Sequence, residues 1–221
     1  MSDLVQVDGP DEGVAVLTLD RAERRNALSI ALRDEMSDAL DALAADEECR
    51  VVVVTGAGEV FSAGFDLKEF ADPAIAEQLW ASSDRWHRTI IQLPLPTIAA
   101  VNGAALGGGF DLAVMCDLRI ASQTASFAHP EHEFSQVVYA PLHDLVGGAV
   151  ARDLALTGRA IDAEEAWSLG VVSRVVAPDA LLATAREMAV QIAAAPRDIL
   201  LQMKAKIVRR AGVEPGATLD I

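Results

Sequence analysis

The densest chemical signal in the chain is Gly107-Gly108-Gly109 with Asp111 close behind. A buried run, Thr97–Val101, leads through Asn102-Gly103 into these glycines, and the spacing predicts a helix over Phe110–Met115. A helix that starts on glycine leaves its first N–H groups without intrahelical partners, at the positive end of the dipole. Such a place holds a phosphate, a carboxylate or a developing oxyanion. The phosphate reading fits poorly, because the loop follows neither GxxxxGK[ST] nor GxGxxG. Tight backbone-on-backbone packing is the alternative role for the glycines. Asp111 lies three residues beyond Gly108, about one helical turn away on the same face. A carboxylate there could move protons on carbons next to a bound carbonyl, or could simply stabilise the helix dipole.

The same layout occurs earlier. Val51–Thr55 is a continuous run dominated by β-branched residues, as expected of a strand covered on both faces, and it ends in Gly56-Ala57-Gly58. The stretch 51–70 therefore echoes 97–115 as strand, glycine loop and helix, although it is no sequence repeat. Other constellations are weaker. Ser62 in VFSAG lacks the first glycine of GxSxG. His87, His129, His132 and His143 form no HExxH, and His129-x-x-His132 with Glu133 is a chance-level metal spacing, so no metal is expected. Arg21, Arg24 and Arg25 make a basic cluster that suits either a solvated turn or a polyanionic small ligand. Lys204, Lys206, Arg209 and Arg210 fit one solvated face of a late helix.

These segments need a scaffold. Gly13–Asp20 alternates as a half-buried strand, and Ser29 is placed to cap a helix through about Ala45 whose stripe is Leu32, Met36, Leu40 and Leu43. A helix over 74–92 must stop at Pro94 and Pro96. Asp117–Ala121 reads as a strand, and most of the chain beyond Pro141 as helix. Alternating strands and helices over the first 130 residues predict an α/β layered core. The net charge of −15 excludes non-specific nucleic-acid binding. No apolar run approaches the ~20 residues of a membrane span, and the N-terminus lacks a signal-peptide layout. Cys49 and Cys116 sit among apolar neighbours, as structural thiols in a reducing cytosol would.

Five segments together resemble the crotonase superfamily of enoyl-CoA hydratases and isomerases. They are LDRAERRNALS (19–29), VVVVTGAGEVFSAGFDLKEF (51–70), LPLPTIAAVNGAALGGGFDLAVMCDLRIAS (93–122), ASFAHPE (125–131) and LALTGRAIDAEEAWSLGVVSRVV (154–176). They stand in the family's order. The resemblance implies a crotonase-like spiral of repeated ββα units with a helical C-terminal part, divided as an acyl-CoA-binding core over 1–195 and a short helical segment over 196–221. It implies that the backbone N–H groups of Phe65 and Gly108 form an oxyanion hole. It also implies that coenzyme A is held around Arg24, Arg25, Asn26, Ala27 and Leu28, and around Ala63, Asp66, Leu67 and Gly107. Coenzyme A enters as part of the substrate, and no separate cofactor is implied.

Hydratases of the family carry two glutamates where this chain has Asp111 and Glu131. Two carboxylates can hydrate an enoyl thioester, one activating water and one protonating the α-carbon. An isomerase, which shifts a double bond, tolerates the shorter aspartate more easily, with Glu131 as the proton shuttle. Beyond Glu131 the chain reads HEFSQVVYAPLHDLVGGAVARD in place of the family's glycine-rich segment. Tyr139, His143 and Asp144 are possible replacement players there, and a catalytically weak acyl-CoA-binding relative is a third reading. The family's usual homo-oligomer, a trimer or dimer of trimers, and a cytoplasmic location complete the expectations, although relatives usually continue through further helices.

Overall fold

A computed structural model describes residues 4–133 and 135–211. The first hairpin pairs β1 (Val5–Asp11) antiparallel with β2 (Val14–Leu19). Helix α1 (Ile30–Ala45) comes next, and Ser29 caps it by accepting a hydrogen bond from the Leu32 N–H at 3.3 Å. Three units then share one plan. The first is β3 (Val51–Gly56), β4 (Val60–Ser62), the single turn α2 (Leu67–Phe70) and the long α3 (Ala76–Gln92). Next come β5 (Thr97–Val101), β6 (Ala104–Leu106) and α4 (Gly108–Met115). The third is β7 (Leu118–Ser122), β8 (Ser126–Ala128) and α5 (Ala140–Thr157), which breaks at Gly147.

Each unit gives one strand to each of two sheets. The large sheet runs β1-β2-β3-β5-β7-β10 and the small one β4-β6-β8-β9. In the large sheet β2, β3, β5, β7 and β10 are parallel, and in the small sheet β4, β6 and β8 are parallel. This is the spiral of ββα units that the resemblance implied. The C-terminal part corrects one expectation. It is mostly helix, α6 (Ala163–Ser168), α7 (Leu181–Ala193) and α8 (Arg197–Ala211), but β9 (Ile161–Asp162) and β10 (Arg174–Val176) interrupt it and extend both sheets. The segment expected over 196–221 is described only as far as Ala211.

The β-branched run in β3 is buried on both faces because the large sheet is sandwiched. Val52 and Val54 face one cluster with Trp86, Leu40 and Phe61. Val51 and Val53 face the other, where Ala185, Ala189 and Ala193 of α7 form a small-residue stripe against the sheet. Helix α3 ends at Gln92, as the prolines require. Both cysteines are free and buried, and burial pushes each thiol up to about 11, which fits structural thiols. The late basic cluster departs from expectation. Lys206, Arg209 and Arg210 are exposed, whereas Lys204 is buried and ion-paired with Asp117, fastening α8 to the start of β7. No described helix is long and apolar enough to cross a membrane.

Candidate active site

The small sheet explains why distant residues meet. Phe65 lies just beyond the end of β4, Gly108 beyond β6 and Glu131 beyond β8. The three strands are parallel neighbours, with Ser62 opposite Ala105 and Leu106 opposite Ala128. Adjacent strands are ~4.8 Å apart, so segments leaving equivalent ends must converge. They line one cavity of about 200 Å³ with Ala63, Gly64, Leu67, Phe70, Trp80, Gly107, Asp111 and the stretch 135–138.

Two glycines let the loops touch. Gly64 has φ +82°, and a Cβ there would lie 2.6 Å from the Leu106 carbonyl oxygen and 3.2 Å from the Gly108 nitrogen. Gly107 has φ +52°, and a Cβ there would meet the Glu131 carboxyl at 2.8 Å. Gly107 also donates its N–H to the Ala128 carbonyl at 2.9 Å, tying the loop to β8. Gly108 opens α4. Among the described residues, neither the Phe65 nor the Gly108 N–H donates a hydrogen bond.

The loop at 21–28 is stitched to the same place. Asn26, fully buried at φ +52°, donates to the Ala57 and Val60 carbonyls at 2.9 and 2.7 Å. Ser62 Oγ donates to the Asn26 carbonyl at 2.8 Å, so this serine braces the loop. The Leu28 N–H donates to the Gly64 carbonyl at 2.8 Å, and the Ala63 N–H to the Arg25 carbonyl at 3.0 Å. Arg21 pairs with Asp66 at 2.8 Å and donates to the Ala27 carbonyl at 3.0 Å. Burial would raise the Asp66 carboxyl, but the Arg21 hydrogen bond and backbone N–H groups outweigh it and hold it below the usual range. Of the sequence-predicted residues, Ala63, Phe65, Leu67, Gly107, Gly108, Asp111 and Glu131 line the cavity. Asn26, Ala27, Leu28 and Asp66 support it from behind, and Arg24 and Arg25 are exposed on the adjoining turn.

Arg33 was not singled out from sequence, yet it is fully buried. Its guanidinium lies 4.6 Å from the Phe65 ring centroid and donates to the Leu28 and Leu79 carbonyls at 2.8 and 3.1 Å. Burial lowers its pKa to about 10, which leaves it cationic at neutral pH. Phe70 and Trp80, in edge contact at 6.0 Å between ring centroids, form an aromatic wall that sequence reasoning also missed.

The acids lie together. Asp111 comes from the first turn of α4 and Glu131 from a 3-10 turn over Pro130–Glu133. Asp111, His129 and Glu131 each present a polar atom within 4.8 Å of the other two. The spacing His129-x-x-His132 with Glu133 is not what assembles: His132 instead contacts the His129 carbonyl at 3.1 Å and packs against Gly158. Glu131 is pushed up to about 7, first by burial and then by the Asp111 charge, against smaller opposing effects of His129 and His132. It is therefore a carboxyl that holds a proton near neutrality. Tyr139 and His143 pack on each other at 5.6 Å between ring centroids, and none of Tyr139, His143 and Asp144 lines this cavity.

The spiral of ββα units is the crotonase fold, and it brings two glycine-loop N–H groups and two carboxyls to one cavity. The chain belongs to the enoyl-CoA hydratase/isomerase family, whose model matches residues 9–218. It is 39% identical over 205 residues to a probable enoyl-CoA hydratase of Mycobacterium tuberculosis, covering 91% of this chain and 77% of that protein. An enoyl-CoA hydratase structure from Bacillus anthracis superposes with a TM-score of 0.89 at 35% identity, covering 96% of this chain and 84% of that one. A monofunctional enoyl-CoA isomerase from M. smegmatis gives 0.84 at 33% identity, covering 96% and 95%. The protein is an enzyme of this family.

Proposed function

We propose that the protein hydrates a 2-enoyl-CoA through an enolate held by the Phe65 and Gly108 N–H groups. The observation that carries this reading is that both residues line one cavity, their N–H groups without acceptors among the described residues, together with Asp111 and Glu131. The thioester oxygen accepts both N–H groups as negative charge builds on it, and one such donor is worth ~3 kcal/mol in the transition state. Asp111 takes a proton from water as the water oxygen bonds to the β-carbon. Glu131, protonated near neutrality, gives its proton to the α-carbon as the enolate collapses. Atoms and charge balance: water is added, one carboxyl gains a proton and the other loses one. Exposed Arg24 and Arg25 lie beside the site to meet the phosphates of coenzyme A.

Loss of the conjugated thioester absorbance with a four-carbon 2-enoyl-CoA is the expected result. No loss with any acyl length from short to long overturns hydration. Deuterium exchange at the α-carbon of a saturated acyl-CoA tests the enolate step separately. A second reading, isomerisation of a 3-enoyl-CoA with Glu131 alone moving the proton, is favoured by one observation. One Asp111 oxygen is already taken by His129, so Glu131 is the more available acid. Conversion of a 3-enoyl-CoA to the conjugated product would select this reading, provided Glu131→Gln abolishes it.

A further inference from the structure

Asp111 is gripped from behind. His129 Nε2 lies 2.8 Å from Asp111 Oδ1, with the imidazole side chain fully buried and the carboxylate nearly so. The ring stacks on Phe110 at 4.7 Å between centroids and 29° between planes, which fixes its orientation. Asp111 lines the cavity while His129 does not. We propose that His129 is a positioning residue for Asp111: its Nε2–H anchors Oδ1 and presents the other oxygen to the water. This rests on the enolate chemistry proposed above and deepens it.

Three observations carry the assignment. The first concerns reach. Aspartate is a methylene shorter than the glutamate that hydratases of the family carry, and a short acid must be held firmly to be well placed. An imidazole locked between Phe110 and Asp111 provides that hold. The second is that His129 Nδ1 is buried with no hydrogen-bond partner among the described residues. A histidine kept only for packing would be expected to satisfy both nitrogens or be replaced by an apolar side chain, so an unpaired one calls for another role. The third is the charge around the ring. Asp111 and Glu131 both act on it, His132 acts on Glu131, and buried His87 is acted on by both Asp111 and Arg33. Burial lowers the His129 pKa, yet Asp111 and then Glu131 raise it further, so the net shift is upward. Asp111 acts most strongly among these charges, through both its charge and its hydrogen bond, so the ring's main electrostatic partner is the acid that it holds.

The first test reads the ring itself. In protein labelled with 15N in its histidine side chains, the His129 signals are identified by their loss in His129→Gln. A proton on Nε2 at about pH 7 is expected. An unprotonated Nε2 overturns the proposal, whatever the enzyme's activity. The second test is kinetic. His129→Leu should lower kcat about 100-fold, the scale of a misplaced catalytic group, with little change in KM. His129→Gln keeps an N–H donor and should recover about tenfold of that loss. His129→Leu removes the donor to the Asp111 carboxylate, so its pH profile for kcat/KM should differ from wild type by about half a unit or more on one limb. A wild-type profile in both variants, or losses that only track a lowered melting temperature, overturns the proposal. If the wild-type protein exchanges no α-proton, the enolate reading fails, while the 15N result still decides the His129–Asp111 contact.

Discussion

At the residue scale, the cavity separates polar work from apolar selection. The acids and N–H groups come from Phe65, Gly108, Asp111 and Glu131, and the apolar wall is built from Leu67, Phe70, Trp80, Val137 and Val138. An apolar cavity of ~150 Å³ accepts one benzene, so about 200 Å³ suits an acyl tail of a few carbons. Trp80 is the largest group on that wall and is only half-buried, so it bounds the space without being locked in the core. Trp80→Ala should therefore move preference toward longer chains. Each methylene newly buried contributes ~0.8 kcal/mol, so room for two more should raise the long-to-short ratio of kcat/KM about tenfold. The ratio measured with four- and eight-carbon 2-enoyl-CoA substrates checks this, and an unchanged ratio would remove Trp80 from the acyl wall. Arg33 works differently: it touches the Phe65 ring and the Leu28 carbonyl, and so steadies the peptide that carries one of the proposed oxyanion donors.

At the element scale, function depends on α4 lying hard against β4. A Cβ on Gly109 would stand 2.4 Å from the Ser62 carbonyl oxygen and 2.8 Å from Ser62 Cβ, and backbone on that side cannot swing away. Gly109→Ala should cost about 3 kcal/mol by overpacking and push the Gly108 N–H out of line. A displacement near 1 Å costs about 100-fold in rate, so activity should fall even below the melting temperature. Denaturant unfolding and kcat measured together check both halves, and a variant normal in either would show that the two elements can separate. The glycines were legible in the sequence because their chemistry is local, and so were α1, α3, β2, β3, β5 and β7, whose apolar patterns and caps are strong, whereas the seven-residue β1, mostly exposed, was not read. The strands β4, β6 and β8 were not. At three residues each they carry no periodicity, and they exist because their neighbours pair with them. For the same reason Asp111 was visible while its partner His129 was not: the contact spans 18 residues and depends on β6 pairing with β8. The burial of Lys204 was hidden likewise, since its partner Asp117 is 87 residues away.

At the scale of the whole molecule, the acid cluster should leave a mark on folding as well as catalysis. The Glu131 carboxyl titrates near 4.5 in an unfolded chain and at about 7 in the folded one. Below about pH 4.5 both states hold the proton, and the group has no effect on stability. As pH rises the unfolded chain releases the proton first, so the folded state loses stability until pH passes about 7. A shift of that size corresponds to roughly 3 kcal/mol at the plateau, the upper end for a carboxyl that is not fully enclosed. His129, with its raised pKa, also favours the folded state more at low pH, but it is present in both proteins compared and largely drops out of their difference. Glu131→Gln, uncharged at every pH, should thus be nearly as stable as wild type at about pH 4.5 and more stable by up to roughly 3 kcal/mol at about pH 8. Urea unfolding of both proteins across that range measures the gap directly. A gap that is flat with pH, or that closes as pH rises, would mean that the folded protein does not hold a proton on Glu131 near neutrality, and the acid role at the α-carbon would have to move to another group.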